Sequence, residues 1–276
     1  MSHSTESFTT SDGLELHVNT WTVETPKAIV IIAHGLAEHS GRYAHVAATL
    51  NNAGYHVVAP DHRSHGNSPG QPRAYVKDTT VFVDDLKVLW DQVAGEYTGL
   101  PIFLTGHSLG GLIAAQFALR YQDQMRGLVT SGAGLLPGED VPPFAVRVGK
   151  LLARIAPKMA LVALDSAAVS RDPDVVARYN NDPLNYRGKI RAGIGGSLFI
   201  NGEAVLQQAH TLTLPMLVMH GEADRLIPAQ ASRLLYERAS STDKTLKIYP
   251  ELYHEIFNEP EQQQVFADLV AWLDAH

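Results

Sequence analysis

Cysteine is absent from the 276 residues. That excludes disulfide frameworks, thiolate zinc sites, iron–sulfur clusters and a cysteine nucleophile together. Positive charge is also short: 22 Lys and Arg stand against 29 Asp and Glu, a formal net charge of −7. This is the wrong sign for a protein that neutralises nucleic-acid phosphates. No run of about 18 uncharged apolar residues exists, so no membrane-spanning helix is expected. The opening MSHSTESFTT has neither a basic n-region nor an apolar h-region, and no secretory signal is read there. These absences point to a cytoplasmic protein. Apolar residues, by contrast, make up 45% of the chain, enough for a sizeable core, and histidine occurs 13 times.

Short β-rich runs alternate with helical patterns. Residues 14–21 alternate like an edge strand, while Ala28–Ala33 (AIVIIA) is continuously apolar, as in a strand buried on both faces. Further strands are predicted at 56–59, 102–105, 128–131, 216–219 and 245–249. Helices are predicted at 43–53, 81–93, 109–121, 229–239 and 261–272, with Asp78 or Thr79 as cap of the second. Strands separated by helix-length segments imply an α/β class, a mostly parallel sheet covered by helices on both faces. Residues 135–211 break that rhythm with a Pro/Gly-rich opening, helical segments and no convincing strand. So long a stretch reads as a helical cap inserted between two core parts, 1–134 and 212–276.

Residues 102–111 read IFLTGHSLGG, a G-x-S-x-G directly after an apolar strand and before a helix. A sharp strand-to-helix turn exposes Ser108 above the sheet, and glycines at 106 and 110 keep that turn free of Cβ clashes. The helix N-terminus offers the Leu109 backbone N–H to a developing oxyanion. A serine nucleophile needs a base, and the base an orienting carboxylate, in the chain order Ser, Asp/Glu, His. HGEADRLIP places Asp224 just beyond one strand, and PELYHE places His254 just beyond the next. Asp224 is the chosen acid, with Glu222 in reserve. The loop HGLAEHSGRY, 34–43, supplies the second oxyanion donor at Leu36 N–H, with His34 and Glu38 as loop supports and His107 beside the nucleophile.

Together the motifs HGLAEHSGRY, DHRSHGNS, GHSLGG, HGEADRLIP and LYHEIFNEP resemble the monoacylglycerol lipase family of α/β-hydrolases. The segment SRDPDVVARYNNDPL at 170–184 looks like the cap of its bacterial members. The resemblance spans nearly the whole chain. It implies a serine hydrolase that cleaves long-chain monoacylglycerols to fatty acid and glycerol, without a cofactor, under a mobile cap that faces lipid. One departure is Ser64, where the family usually carries Gly.

Alternatives of other classes are weighed on the same residues. A metal site finds only Asp61-His62-Arg63-Ser64-His65 in a turn, and an HEIFN in which Asn258 stands where a second zinc-binding His belongs. A non-catalytic ligand-binding scaffold normally loses a triad member, and none is missing here. A lysophospholipase or short-chain carboxylesterase would use the same triad. Of the histidines, His254 is the one assigned chemistry. His34, His39, His62, His65, His107 and His220 fall in motif loops as supporting groups.

Within the insertion, Phe144, Val148, Leu151 and Ile155 share one helical face, flanked by Arg147, Lys150, Arg154 and Lys158 until Pro157 interrupts. Such a helix suits peripheral contact with an anionic membrane. The plainer reading, and the one favoured, places its apolar face on the core.

Overall fold

The computed structural model describes residues 2–276. The first half runs β1 (Ser2–Thr9), β2 (Glu15–Thr22), β3 (Ala28–Ala33), α1 (Ala44–Asn52), β4 (Tyr55–Pro60), α2 (Thr80–Glu96), β5 (Ile102–His107), α3 (Leu109–Tyr121) and β6 (Gly127–Ser131). The insertion carries α4 (Pro143–Ile155), β7 (Ala160–Ala163), α5 (Pro173–Asn181), β8 (Lys189–Arg191) and α6 (Ala192–Gln208). The chain closes with β9 (Met216–Gly221), α7 (Gln230–Arg238), β10 (Lys244–Tyr249) and α8 (Gln262–Ala275).

The run AIVIIA lies inside an eight-stranded sheet of order β1-β2-β4-β3-β5-β6-β9-β10. From β4 to β10 every neighbouring pair is parallel, and β2 is antiparallel to both β1 and β4. Side chains of β3 alternate between two cores. Ile29 and Ile31 join Leu104, Leu128 and Val218 under α2, α3 and α7. Val30 and Ile32 join Phe103, Val129 and Leu217 against α1 and α8. A strand buried on both faces has no solvent face to mark with polar residues, hence the unbroken apolar run. Each such side chain contributes roughly 1.5–3 kcal/mol of burial.

Two expectations need correction. β1 carries no predicted strand, because SHSTESFT is exposed except at Phe8. Its ladder with β2, from Ser2 opposite Thr22 to Thr9 opposite Glu15, is backbone bonding that hydrophobic periodicity does not report. The insertion also contains strands after all. β7 and β8 form an antiparallel pair of four and three residues, too short for an alternation signal.

A third correction concerns α4. Its helix ends at Ile155, before Pro157, but its apolar stripe does not lie on the core. Phe144, Leu151 and Ile155 are 69%, 55% and 68% exposed. The face that packs is instead the small one. A Cβ on Gly196 of α6 would stand 2.5 Å from the Ala153 methyl and 2.6 Å from the Gly149 carbonyl oxygen. Close approach through Gly149, Ala153 and Gly196 fixes the rotation of α4 and turns the larger apolar side chains outward.

Candidate active site

The loops after β3, β5, β9 and β10 all leave the same edge of the sheet, the carboxyl ends of its parallel strands. Ser108 stands between β5 and α3 with φ 54° and ψ −116°, a strained conformation for a residue with a side chain. Only glycine neighbours allow the turn to close so tightly. A Cβ on Gly106 would meet the Gly110 carbonyl oxygen at 2.1 Å, and one on Gly110 the Ala33 carbonyl oxygen at 1.9 Å. Leu109 opens α3, where backbone N–H groups have no intrahelical acceptor.

Ser108, Leu109, Leu36, Gly35, Glu38, His107 and His254 line one cavity of about 490 Å³. Behind it, His254 Nδ1 donates to Asp224 Oδ2 at 2.6 Å. Burial alone would push the Asp224 carboxyl up, but His254 and His220 beside it hold it well below the usual carboxylate range. Burial likewise opposes the His254 imidazolium, yet the facing Asp224 carboxylate raises His254 above its ordinary value. Glu222, the reserve acid, turns away to pair with Arg233. His107 packs against His254 with ring centroids 4.7 Å apart, and burial together with that neighbour lowers it to about 3.

The loop carrying Leu36 is braced by Glu38. Glu38 Oε1 accepts the Gly35 N–H at 2.6 Å and the Tyr43 hydroxyl at 2.8 Å. Its other oxygen accepts from Arg42 Nη1 at 2.6 Å, and Arg42 also grips Glu255 through two bonds of 2.7 Å. One guanidinium therefore ties the Leu36 loop to the residue beside His254. Charge-assisted, bidentate bonds of this kind are among the strongest a protein makes. The spacing Glu38–Arg42 is visible in the sequence. The link to Glu255, the residue after His254, joins positions 213 apart and is not.

His34 does support the same loop. Its Nδ1 donates to the Gly35 carbonyl at 2.7 Å, and its Nε2 accepts the His62 N–H at 2.9 Å. His62 and His65 pack against its ring, at 4.1 and 5.4 Å between centroids. Burial lowers His34 to about 3, His65 to about 4 and His62 well below its ordinary value. His39 bonds Asp182 of the insertion at 2.9 Å, and Asn258 donates to Glu255 at 2.9 Å. Ser64 takes φ 64°, the left-handed conformation that favours glycine. Its hydroxyl compensates by donating to the Tyr75 carbonyl and accepting the Tyr75 N–H, each at 2.9 Å.

Most of the remaining cavity wall is apolar and comes from the insertion, with Leu226 and Ile227 added from the loop after β9. Leu152, Leu161, Leu198 and Phe199 contribute to it, as do the exposed Phe144, Val148, Val162 and Leu164, so the outer patch and the cavity are continuous. The arrangement combines a bent nucleophile turn, a histidine–carboxylate pair, two loop amides and an apolar chamber, which is what acyl transfer on an apolar ester requires.

Comparison with known proteins agrees with this chemistry. Residues 24–261 match the family model described as serine aminopeptidase, S33. The chain is 44% identical to the monoacylglycerol lipase of Mycolicibacterium smegmatis over 274 residues, covering 99% of this chain and 98% of that one. It is 38% identical to the human monoglyceride lipase, covering 95% and 88% of the two chains. The crystal structure of Paleococcus ferrophilus monoacylglycerol lipase superposes with a TM-score of 0.85 at 37% identity, over 95% of this chain and 99% of that one.

Proposed function

As the chain belongs to the monoacylglycerol lipase family of α/β-hydrolases and is a serine hydrolase, we propose that Ser108, His254 and Asp224 are its catalytic triad and that it cleaves monoacylglycerols to fatty acid and glycerol. The observation that carries the residue assignment is the buried 2.6 Å His254–Asp224 pair beside Ser108 on an apolar cavity.

Ser108 Oγ attacks the ester carbonyl while His254 Nε2 takes its proton. Asp224 holds the imidazole in the Nδ1–H tautomer and stabilises the imidazolium. The Leu36 and Leu109 N–H groups bind the tetrahedral oxyanion, a contribution of about 3–4 kcal/mol per donor. His254 then protonates the departing glycerol oxygen, and water repeats the sequence on the acyl-enzyme. Residues 135–211 act as the cap over this chamber, between core parts 1–134 and 212–276. Substrate reaches it from a membrane surface against which the α4 stripe and the exposed Arg147 and Arg154 rest, while Lys150 is held by Glu203.

A hydrolysis panel of monoacylglycerols, triacylglycerols, lysophospholipids and p-nitrophenyl esters of graded length tests the reading, with Ser108→Ala and His254→Ala alongside. Monoacylglycerol is expected to give the highest kcat/KM, and each substitution to reduce kcat by several orders of magnitude. Turnover confined to short p-nitrophenyl esters or to lysophospholipids would replace the substrate assignment. Near-full activity in Ser108→Ala would remove the triad, and no ester turnover by the unsubstituted protein would revive a ligand-binding scaffold.

A further inference from the structure

Behind the histidine–carboxylate pair lies a second buried histidine that the mechanism above leaves unused. His220, in the last turn of sheet on β9, is fully buried. Its Nε2 lies 3.0 Å from Asp224 Oδ2 and 3.0 Å from the Ile227 carbonyl oxygen, and its Nδ1 lies 2.7 Å from Ser232 Oγ. A nitrogen facing two acceptors must carry the proton, and the Ser232 hydroxyl then donates to Nδ1. The tautomer is thereby set.

Asp224 consequently receives four donors. Oδ2 accepts from His254 at 2.6 Å and His220 at 3.0 Å, and Oδ1 accepts the Leu226 and Ile227 N–H groups at 2.8 and 3.0 Å. The two backbone amides hold Oδ1 against its own loop. The carboxylate turns only about its Cβ–Cγ bond, which the two amides resist at Oδ1, and such a turn would carry Oδ2 away from His254. His220 opposes this rotation. It is anchored on α7 through Ser232 and on the same loop through the Ile227 carbonyl, so its Nε2–H is a fixed point rather than a mobile donor.

Resting on the triad reading above, we propose that His220 is a positioning residue: a fixed Nε2–H donor that keeps Asp224 Oδ2 aimed at His254 Nδ1. It touches no reacting atom. Its effect falls on the alignment of the base in the transition state and not on the cavity that holds the acyl chain, so it belongs to kcat and leaves KM alone.

Three substitutions separate the donor from the bulk. His220→Gln places an amide N–H₂ where Nε2 stands. His220→Phe keeps the ring volume without a donor. His220→Asn is small and polar, retains a partner for Ser232 and withdraws the donor from Asp224. With monoacylglycerol, Phe and Asn are expected to lose roughly 30- to 100-fold in kcat with KM within about 2-fold, as misalignment of a catalytic group near 1 Å does. Gln is expected to recover most of that loss.

Folded Asn or Phe variants with kcat within about 3-fold of the parent overturn the proposal, as does a Gln variant no better than Phe. The unsubstituted protein gives an independent measurement. Nitrogen-15 NMR of the histidine side chains must show His220 as the Nε2–H tautomer, and finding the Nδ1–H tautomer sinks the idea whatever the variants do. Failure of the triad itself is read elsewhere, in a Ser108→Ala protein that still turns over.

Discussion

Lowering the pH from about 7.5 to about 5.5 perturbs four imidazoles that the fold holds neutral: His34, His62, His65 and His107. An unfolded histidine titrates near about 6.5. In the folded chain, burial brings His34 and His107 to about 3, His65 to about 4 and His62 well below its ordinary value. Between the folded and unfolded values the unfolded chain binds protons that the folded chain does not. Stability is therefore complete above about 6.5 and falls as the pH falls. At pH 5.5 each group costs about 1 kcal/mol, and the four together about 4–6 kcal/mol.

His45 and His56, also lowered by burial, add in the same direction. The raised His254 opposes them, since it contributes stability below the unfolded value that is lost as pH rises through its folded one. A net loss of about 4 kcal/mol is expected, a large part of the roughly 5–15 kcal/mol that holds a domain together. Urea unfolding followed by tryptophan fluorescence at the two pH values measures it, provided the m-value is unchanged. His65, whose Nε2 has no hydrogen-bond partner among the described residues, provides the control. His65→Gln should shrink the pH-dependent loss by about 1 kcal/mol. A loss under about 1 kcal/mol in the parent protein would refute the argument that these rings are buried uncharged.

The α4 patch, the catalytic pair and the Ser64 turn each yield a further expectation. Replacing Leu151 and Ile155 by Ser removes apolar surface worth about 2–3 kcal/mol, so binding to anionic vesicles should weaken roughly 30- to 100-fold in co-sedimentation. Charge reversal of Arg147 and Arg154 should abolish the preference for anionic over neutral vesicles, and unaltered binding in both variants counts against the membrane surface. Because Asp224 raises His254, kcat/KM should fall on the acid side with a midpoint above about 6.5. Asp224→Asn should move that midpoint down and reduce kcat by about 10⁴-fold, and a limb that stays in place would detach Asp224 from His254. Ser64→Ala keeps the strained φ and loses both bonds to Tyr75, for an expected cost of about 1–2 kcal/mol. Ser64→Gly relieves the strain as it loses them and should stay within about 1 kcal/mol of the parent in the free energy of urea unfolding.

Local chemistry was legible in the sequence because it is local. AIVIIA had to be a strand buried on both faces, and the glycines around Ser108 had to be a tight turn, whatever else the chain did. The order of the strands and the loops that follow them placed Leu36, Ser108, Asp224 and His254 at one sheet edge. Which carboxylate meets His254 was legible only as a ranking, Asp224 first and Glu222 in reserve. Asp224 and Glu222 are two residues apart, and the choice depends on a loop that ties Asp224 to the Leu226 and Ile227 amides and leaves Glu222 to Arg233. Arg42 reaches Glu255 only because β3 and β10 end at the same edge of a folded sheet.

The rotation of α4 was likewise a tertiary decision. The stripe of Phe144, Val148, Leu151 and Ile155 has a periodicity that fits a core or a membrane, and the core reading favoured from sequence was the wrong one. The contact of Gly149 and Ala153 with Gly196 of α6 decided it, since two helices approach most closely through residues that lack side chains to hold them apart. Composition and order along the chain determined what the parts are and which edge they occupy. Packing between segments tens to hundreds of residues apart determined which donor meets which acceptor, and which face of the insertion remains open to solvent.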